Sequence, residues 1–165
     1  MINDDVPWLT DEELNIWRAF LWSHQKLREC LDQQMQRDAG MPHAYYLILA
    51  VLSEEPERTA SMTDLARITQ FSPSRLSHAV RKLETLDWIA RQRHPQNGRV
   101  VMARLTDDGL TVLHGAAPGH VREVRRLLFD RITPEQLRQL GDISRALLMA
   151  DPADHAGSAD PECGT

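Results

Sequence analysis

Residues 61–105 read SMTDLARITQFSPSRLSHAVRKLETLDWIARQRHPQNGRVVMARL. The stretch has the outline of a winged helix-turn-helix: two short amphipathic helices followed by a basic hairpin. Eight of its residues are Lys or Arg (Arg67, Arg75, Arg81, Lys82, Arg91, Arg93, Arg99 and Arg104), and three are acidic (Asp64, Glu84 and Asp87). The segment therefore carries +5 within a chain whose net charge is −5, which leaves −10 for the remainder. A basic module inside an acidic protein is the footprint of a domain that meets phosphate on one face.

The details of the stretch support that outline. Thr63 is expected to cap a helix over 64–69, with Leu65, Ala66 and Ile68 inward. After the turn Gln70-Phe71-Ser72, Ser72 is placed as an N-cap and Pro73 at the first helical position, where its missing N–H costs nothing. The next helix, 73–86, alternates a stripe of Leu76, Ala79, Val80, Leu83 and Leu86 with a polar face of Ser74, Arg75, Ser77, His78, Arg81 and Lys82. Arginine and short hydroxyl side chains at the start of a helix suit base and phosphate contacts in the major groove. Taken alone, such a face is more often simply a solvated surface; the neighbouring helix and hairpin give it direction. Trp88 and Ile89 open a strand, Pro95-Gln96-Asn97-Gly98 is the expected turn, with Asn97-Gly98 as its hairpin signal, and residues 99–105 return. Arg93 and Arg99 flank the tip, where an arginine can enter a narrow minor groove.

Outside this module the chain reads as helices. Thr10-Asp11-Glu12-Glu13 is a capping box opening a long helix. Leu14, Trp17, Leu21, Leu31 and Met35 make one apolar face, and Ile16, Phe20 and Leu27 a second. Two faces imply packing both on the chain itself and on a partner. Gly40-Met41-Pro42 ends this helix, residues 45–52 form a largely buried one, and 54–60 are expected as loop. Thr106-Asp107-Asp108-Gly109 starts another helix, which Pro118 is expected to kink or break. Thr133-Pro134-Glu135-Gln136 opens the last, through Leu137, Leu140, Ile143, Leu147 and Leu148. From Asp151 the composition turns to Asp, Pro, Ala and Gly, read as a disordered tail over 151–165.

Several function classes are set aside on composition. Hydrophobic content of 42% with 26% charged residues is that of a globular protein, and the longest apolar run, Tyr45 to Leu52, is too short to span a membrane. With no secretory pattern at the start, the expected location is the cytoplasm. Cys30 and Cys163 are the two cysteines, and a disulfide between them is not expected. No nucleophile elbow, phosphate loop or carboxylate pair suggests an enzyme. No histidine pair has the four-residue spacing of a helix-borne metal site, so neither metal nor cofactor is expected.

The order helix, helix, short helix, recognition helix, hairpin and two further helices resembles the MarR family of bacterial transcription regulators. The matching runs are MTDLARITQFSPSRLSHAVRKLETLDWIARQ, RLTDDGLTVL and LFDRITPEQLRQL, and together they cover most of residues 10–150. The resemblance implies a mainly α fold with a small β-hairpin, a winged helix-turn-helix at 42–106 and dimerisation helices at 8–38 and 107–149. It further implies a homodimer on double-stranded DNA with a pseudo-palindromic operator, acting as a regulator, expectedly a repressor, that a small phenolic or lipophilic ligand releases. Ser72, Ser74, Arg75, Ser77, His78, Arg81, Lys82, Arg93 and Arg99 are the implied DNA contacts. Trp17, Phe20, His24, Tyr45 and Tyr46 are the implied lining of an effector crevice, with core or interface packing as the competing reading. In the family's wing an Asp usually precedes the groove arginine by two residues; here Asn97 stands before Arg99 and brings no charge to orient it. An effector-independent architectural binder and a redox- or metal-sensing regulator remain as alternatives.

Overall fold

The structure is a computed structural model and describes residues 6–149, so the expected disordered tail and Cys163 lie outside the described residues. Two compact units divide at Val124/Arg125.

The first unit begins with α1 (Asp11–Ala39), opened by the Thr10 capping box: the Glu13 N–H donates to Thr10 Oγ1, and the Thr10 N–H donates to the Glu13 carboxylate at 2.7 Å. Gly40, with φ +65°, ends the helix in the left-handed region that glycine adopts without steric cost. Only the C-terminal part of α1 is buried, at Leu31, Gln34 and Met35. In α2 (His43–Glu54) the residues Tyr46, Ile48, Leu49 and Leu52 face the core. This helix has no side-chain cap of its own, and Asp32 of α1 supplies one by accepting the His43 backbone N–H at 2.9 Å.

Two short helices follow, α3 (Met62–Thr69) and α4 (Pro73–Thr85). The cap of α3 is Ser61, not Thr63. Its Oγ accepts the Asp64 N–H at 3.0 Å and donates to the Asp64 carboxylate at 2.7 Å, a pairing that Thr63, already inside the helix, cannot make. Ser72 and Pro73 open α4 as expected, and Leu76, Ala79, Val80 and Leu83 are its buried stripe. Leu86 does not continue it: it sits past the last turn and is 46% exposed.

The expected hairpin is part of a three-stranded antiparallel sheet in the order β1-β3-β2, with β1 (Thr59–Ser61), β2 (Ile89–His94) and β3 (Asn97–Leu105). The segment 54–60 is therefore not all loop. A single 3-10 turn at Pro56–Arg58 leads into β1, which pairs Ala60 with Ala103 and buries both. Three residues are too short a run to show the alternation by which strands are read. The turn falls in the first half of the expected span 95–98, not at its Asn97-Gly98 pair. His94 pairs with Asn97, so Pro95-Gln96 form the turn, and neither Asn97 nor Gly98 has positive φ. Proline's fixed φ suits the first corner of such a turn and displaces the Asn-Gly pair into β3.

The last helix of this unit, α5 (Asp107–Val124), continues through Pro118 without the break that was one of its two expected effects. It lies along α1, and at Gly119 a Cβ would come within 3.1 Å of the Gln34 amide nitrogen. Close packing along this length outweighs one missing backbone hydrogen bond. At its start Thr106 Oγ1 accepts the Gly109 N–H at 3.0 Å and donates to the Asp87 carbonyl at 2.6 Å. A Cβ on Gly109 would collide with the Trp88 carbonyl oxygen.

The α1–α2–α5 junction carries a cluster of rings. His43 and His120 stack at 5.1 Å between centroids, and Tyr46 lies 4.3 Å from His120. His43 Nε2 and His120 Nδ1 are buried without protein partners. Burial, and then the neighbouring His120, push the His43 pKa from 6.5 down to about 4, against the pull of Asp32; burial lowers that of His120. Burial, then Glu54, raises the Tyr46 phenol.

In the second unit, a π-turn at Arg125–Phe129 is closed by the Asp130 N–H donating to the Arg125 carbonyl five residues back. Then α6 (Pro134–Met149) opens with the Thr133/Gln136 capping pair and leaves Ile143, Leu147 and Leu148 exposed.

Two stability outcomes follow. Gly109→Ala forces Trp88 and the wing base apart and should lower unfolding free energy by about 1–3 kcal/mol in urea titration; an unchanged midpoint would contradict the close approach. Because the folded chain holds both histidines neutral while the unfolded chain protonates near 6.5, their contribution is complete above that pH and is lost as pH falls toward 4. Thermal melts should therefore decline more steeply from pH 6.5 to 4.5 for the natural chain than for a His43→Gln/His120→Gln variant.

Candidate nucleic-acid interface

Ser72 starts α4 by accepting the Arg75 N–H at 3.3 Å, which fixes where the polar face begins. From there Ser74, Arg75, His78, Arg81 and Lys82 are all exposed, whereas Ser77 is half-buried at the edge of the face. The Phe71 ring lies under the Arg75 guanidinium, 4.3 Å from centroid to carbon.

The wing is built from the turn outward. The pairing of β2 and β3 shifts between Arg93 and His94, so that Arg93 faces Val101 while His94 faces Asn97, and Gly98, Arg99 and Val100 bulge. A bulge re-aims the side chains it carries. Arg93 is turned back on the wing, donating to the Gly98 carbonyl at 2.9 Å. Arg99 is exposed and has no acidic partner among the described residues. Asn97 accepts the Arg99 backbone N–H at 3.2 Å and so shapes the backbone beneath Arg99 without a charge.

Ion pairing sorts the cations of the module. Arg67 meets Asp64, and Arg91 meets Glu84 with its Nε 2.8 Å from the carboxylate. The second pair ties β2 to the end of α4 and holds Glu84 below the usual carboxylate range, chiefly through the hydrogen bond. Arg75, Arg81, Lys82, Arg93, Arg99 and Arg104 form no ion pair among the described residues. Six unpaired cations on one module, with Asp87 its only unpaired acid, make a surface suited to a polyanion.

Behind the start of α4 lies an open cavity of about 850 Å³ between α1 and the α3–α4 turn. It is lined by His24, Arg28 and Asp32 from α1, by Pro42, His43 and Leu47, and by Phe71 and Arg75, among others. Of the five residues expected at an effector crevice, only His24 lines it. Trp17 and Phe20 stack on each other at 6.3 Å on the exposed part of α1; Tyr45 packs on the core, and Tyr46 is buried against His120. Trp17 and Phe20 share the helical face of His24 but lie one to two turns nearer the N-terminus of α1, beyond the cavity. Arg28 and Asp32, which the sequence reading did not name for this role, line the cavity at four-residue steps from His24, so helical periodicity from that residue is the signal that could have found them. Cys30 is a half-buried free thiol.

Comparison with known proteins agrees with this geometry. Residues 39–100 match the model of the MarR family. The crystal structure of Sco3205, a MarR family transcriptional regulator from Streptomyces coelicolor in complex with DNA, is 48% identical, superposes with a TM-score of 0.84, and covers 88% of this chain and 91% of its own. This chain belongs to the MarR family. AbsC, a MarR family regulator from the same organism, is 34% identical over 87% of this chain and 96% of its own, with a TM-score of 0.82. BpsR of Bordetella bronchiseptica, whose DNA binding is regulated by 6-hydroxynicotinic acid, shares the fold at 18% identity and a TM-score of 0.75, over 88% of this chain and 100% of its own. The protein is thus a MarR-family DNA-binding transcriptional regulator, and nothing in this family assignment points to an enzyme. No helix among the described residues is long and apolar enough to cross a membrane, and among them no group of three His, Cys, Asp or Glu side chains is placed to hold a metal ion.

If Asn97 shapes this MarR wing through its side chain, Asn97→Ala should speed hydrogen exchange at the Arg99 amide several-fold and leave the α4 amides unchanged. Equal protection in both proteins would remove Asn97 from the wing's architecture.

Proposed function

We propose that this MarR-family chain is a homodimeric repressor that binds a pseudo-palindromic operator and is released by a small molecule in the crevice beside α4. The observation that carries the reading is the run of unpaired cations along the exposed face of α4 and out to Arg99 at the wing. In this reading the start of α4 enters the major groove, where Arg75 and Ser74 meet base edges, Ser72, Ser77, His78, Arg81 and Lys82 meet bases or backbone, and Arg93 and Arg99 lie along the adjacent minor groove.

Dimerisation is supported by apolar surface that a lone chain has no use for. Trp17, Phe20, Leu21 and Trp22 on α1 are each at least 42% exposed, and on α6 Ile143, Leu147 and Leu148 are at least 55% exposed. A two-fold assembly sets two recognition helices about one helical turn of DNA apart, which calls for a pseudo-palindrome. Release by a ligand is supported by the cavity's size and its mixed lining of rings, aliphatic groups and charges. The regulation of BpsR by 6-hydroxynicotinic acid is a precedent in the same fold. A ligand there acts only to the extent that it favours a spacing of the two helices that DNA does not.

Fluorescence anisotropy on duplexes recovered by genomic footprinting tests the reading. Arg99→Ala should weaken binding to all sequences and flatten its dependence on salt, whereas Arg75→Ala should relax discrimination at one position of each half-site, costing about 1–3 kcal/mol there. Unchanged operator affinity in both variants would mean that helix and wing do not meet DNA in this way.

A further inference from the structure

Phe71 immediately precedes the N-cap of α4, and its side chain packs on the core that includes Leu76. An apolar residue at this position serves as a staple at the helix start, a role leucine would fill equally well. The phenyl ring adds something leucine lacks, a negative face, and the Arg75 guanidinium lies over it at 4.3 Å. Arg75 occupies the third helical position, and the first turn of α4 holds no acid. A cation there opposes the helix dipole, so the sequence places Arg75 where it does not help the helix. Nor is it held by an ion pair among the described residues.

The geometry points to Phe71 as a positioning residue for Arg75: the ring holds the guanidinium at the leading end of the recognition helix before DNA arrives. A cation over a ring draws on the field of the ring's face and leaves the N–H donors at the rim of the guanidinium available to a base edge or phosphate. An arginine already placed loses less rotamer freedom on binding than one sampling solvent. The inference rests on the proposed contact between Arg75 and DNA, and the experiment separates the two.

The full-length protein first selects a duplex from a random-sequence pool. Affinities for that duplex are then measured for the natural chain, Phe71→Leu, Phe71→Tyr, Phe71→Trp, Arg75→Ala and the Phe71→Leu/Arg75→Ala double variant, with thermal melts for each. Phe71→Leu should weaken binding about two- to five-fold, and the two ring-preserving variants should stay within two-fold of the natural chain. In the Arg75→Ala background Phe71→Leu should have no further effect. If Phe71→Leu weakens both backgrounds equally, or if its loss follows a fall in melting temperature, Phe71 is structural and the inference is overturned. If Arg75→Ala weakens binding while Phe71→Leu does not, this inference alone fails; if Arg75→Ala leaves affinity unchanged, the reading of α4 fails with it.

Discussion

The junction at Thr106 is the constraint on which the winged helix-turn-helix depends. Its hydroxyl donates to the Asp87 carbonyl just beyond α4 and accepts from Gly109 in the first turn of α5, while its backbone N–H donates to the Trp88 carbonyl at 3.1 Å. The end of α4, the start of β2 and the start of α5 thereby meet at one residue. Gly109 makes this possible, because any Cβ would occupy the space of the Trp88 carbonyl. Asp87 accommodates the junction by adopting φ +58°. The Glu84–Arg91 pair then ties β2 back to α4, so helix, wing and the start of α5 share one framework.

That framework explains why the module can carry so much unpaired charge. Its folding rests on buried aliphatic contacts among α2, α3, α4 and the sheet, with Ile48, Leu49, Leu52, Leu65, Val80 and Leu83 completely enclosed. The exposed arginines contribute little to that core and are free to be selected for what they meet. Two of the eight basic residues are used structurally through ion pairs with acids close by, and the others face solvent or fold along the wing.

Much of this was legible in the sequence because helix ends have local chemistry. Thr10/Glu13, Ser72/Pro73, Thr106 and Thr133/Gln136 are each read from three or four adjacent residues, and each caps as read. Features set by distant partners were not legible. Strand β1 exists because β3 offers it an edge, and α5 passes Pro118 because α1 supports it. Within the turn read at 95–98, the Asn-Gly signal was real in propensity but lost to Pro95-Gln96, two positions earlier. His43 and His120, 77 positions apart in the sequence, form the ring cluster only because α2 and α5 converge, and no spacing rule joins them. The cavity beside α4 takes its charged lining at Arg28 and Asp32 from the point along α1 at which the α3–α4 turn approaches it, which no local pattern in the sequence gives.

Arg75 stands at the wall of the cavity as well as on the exposed face of α4. On the proposed function, one side chain enters two binding equilibria, and the coupling between them is reciprocal by thermodynamic necessity. Descent with modification then has no separate handle on each. A change at this position that retunes the preferred operator also retunes what the cavity accepts, so regulators diverging from a common ancestor at Arg75 would be expected to change target and signal together.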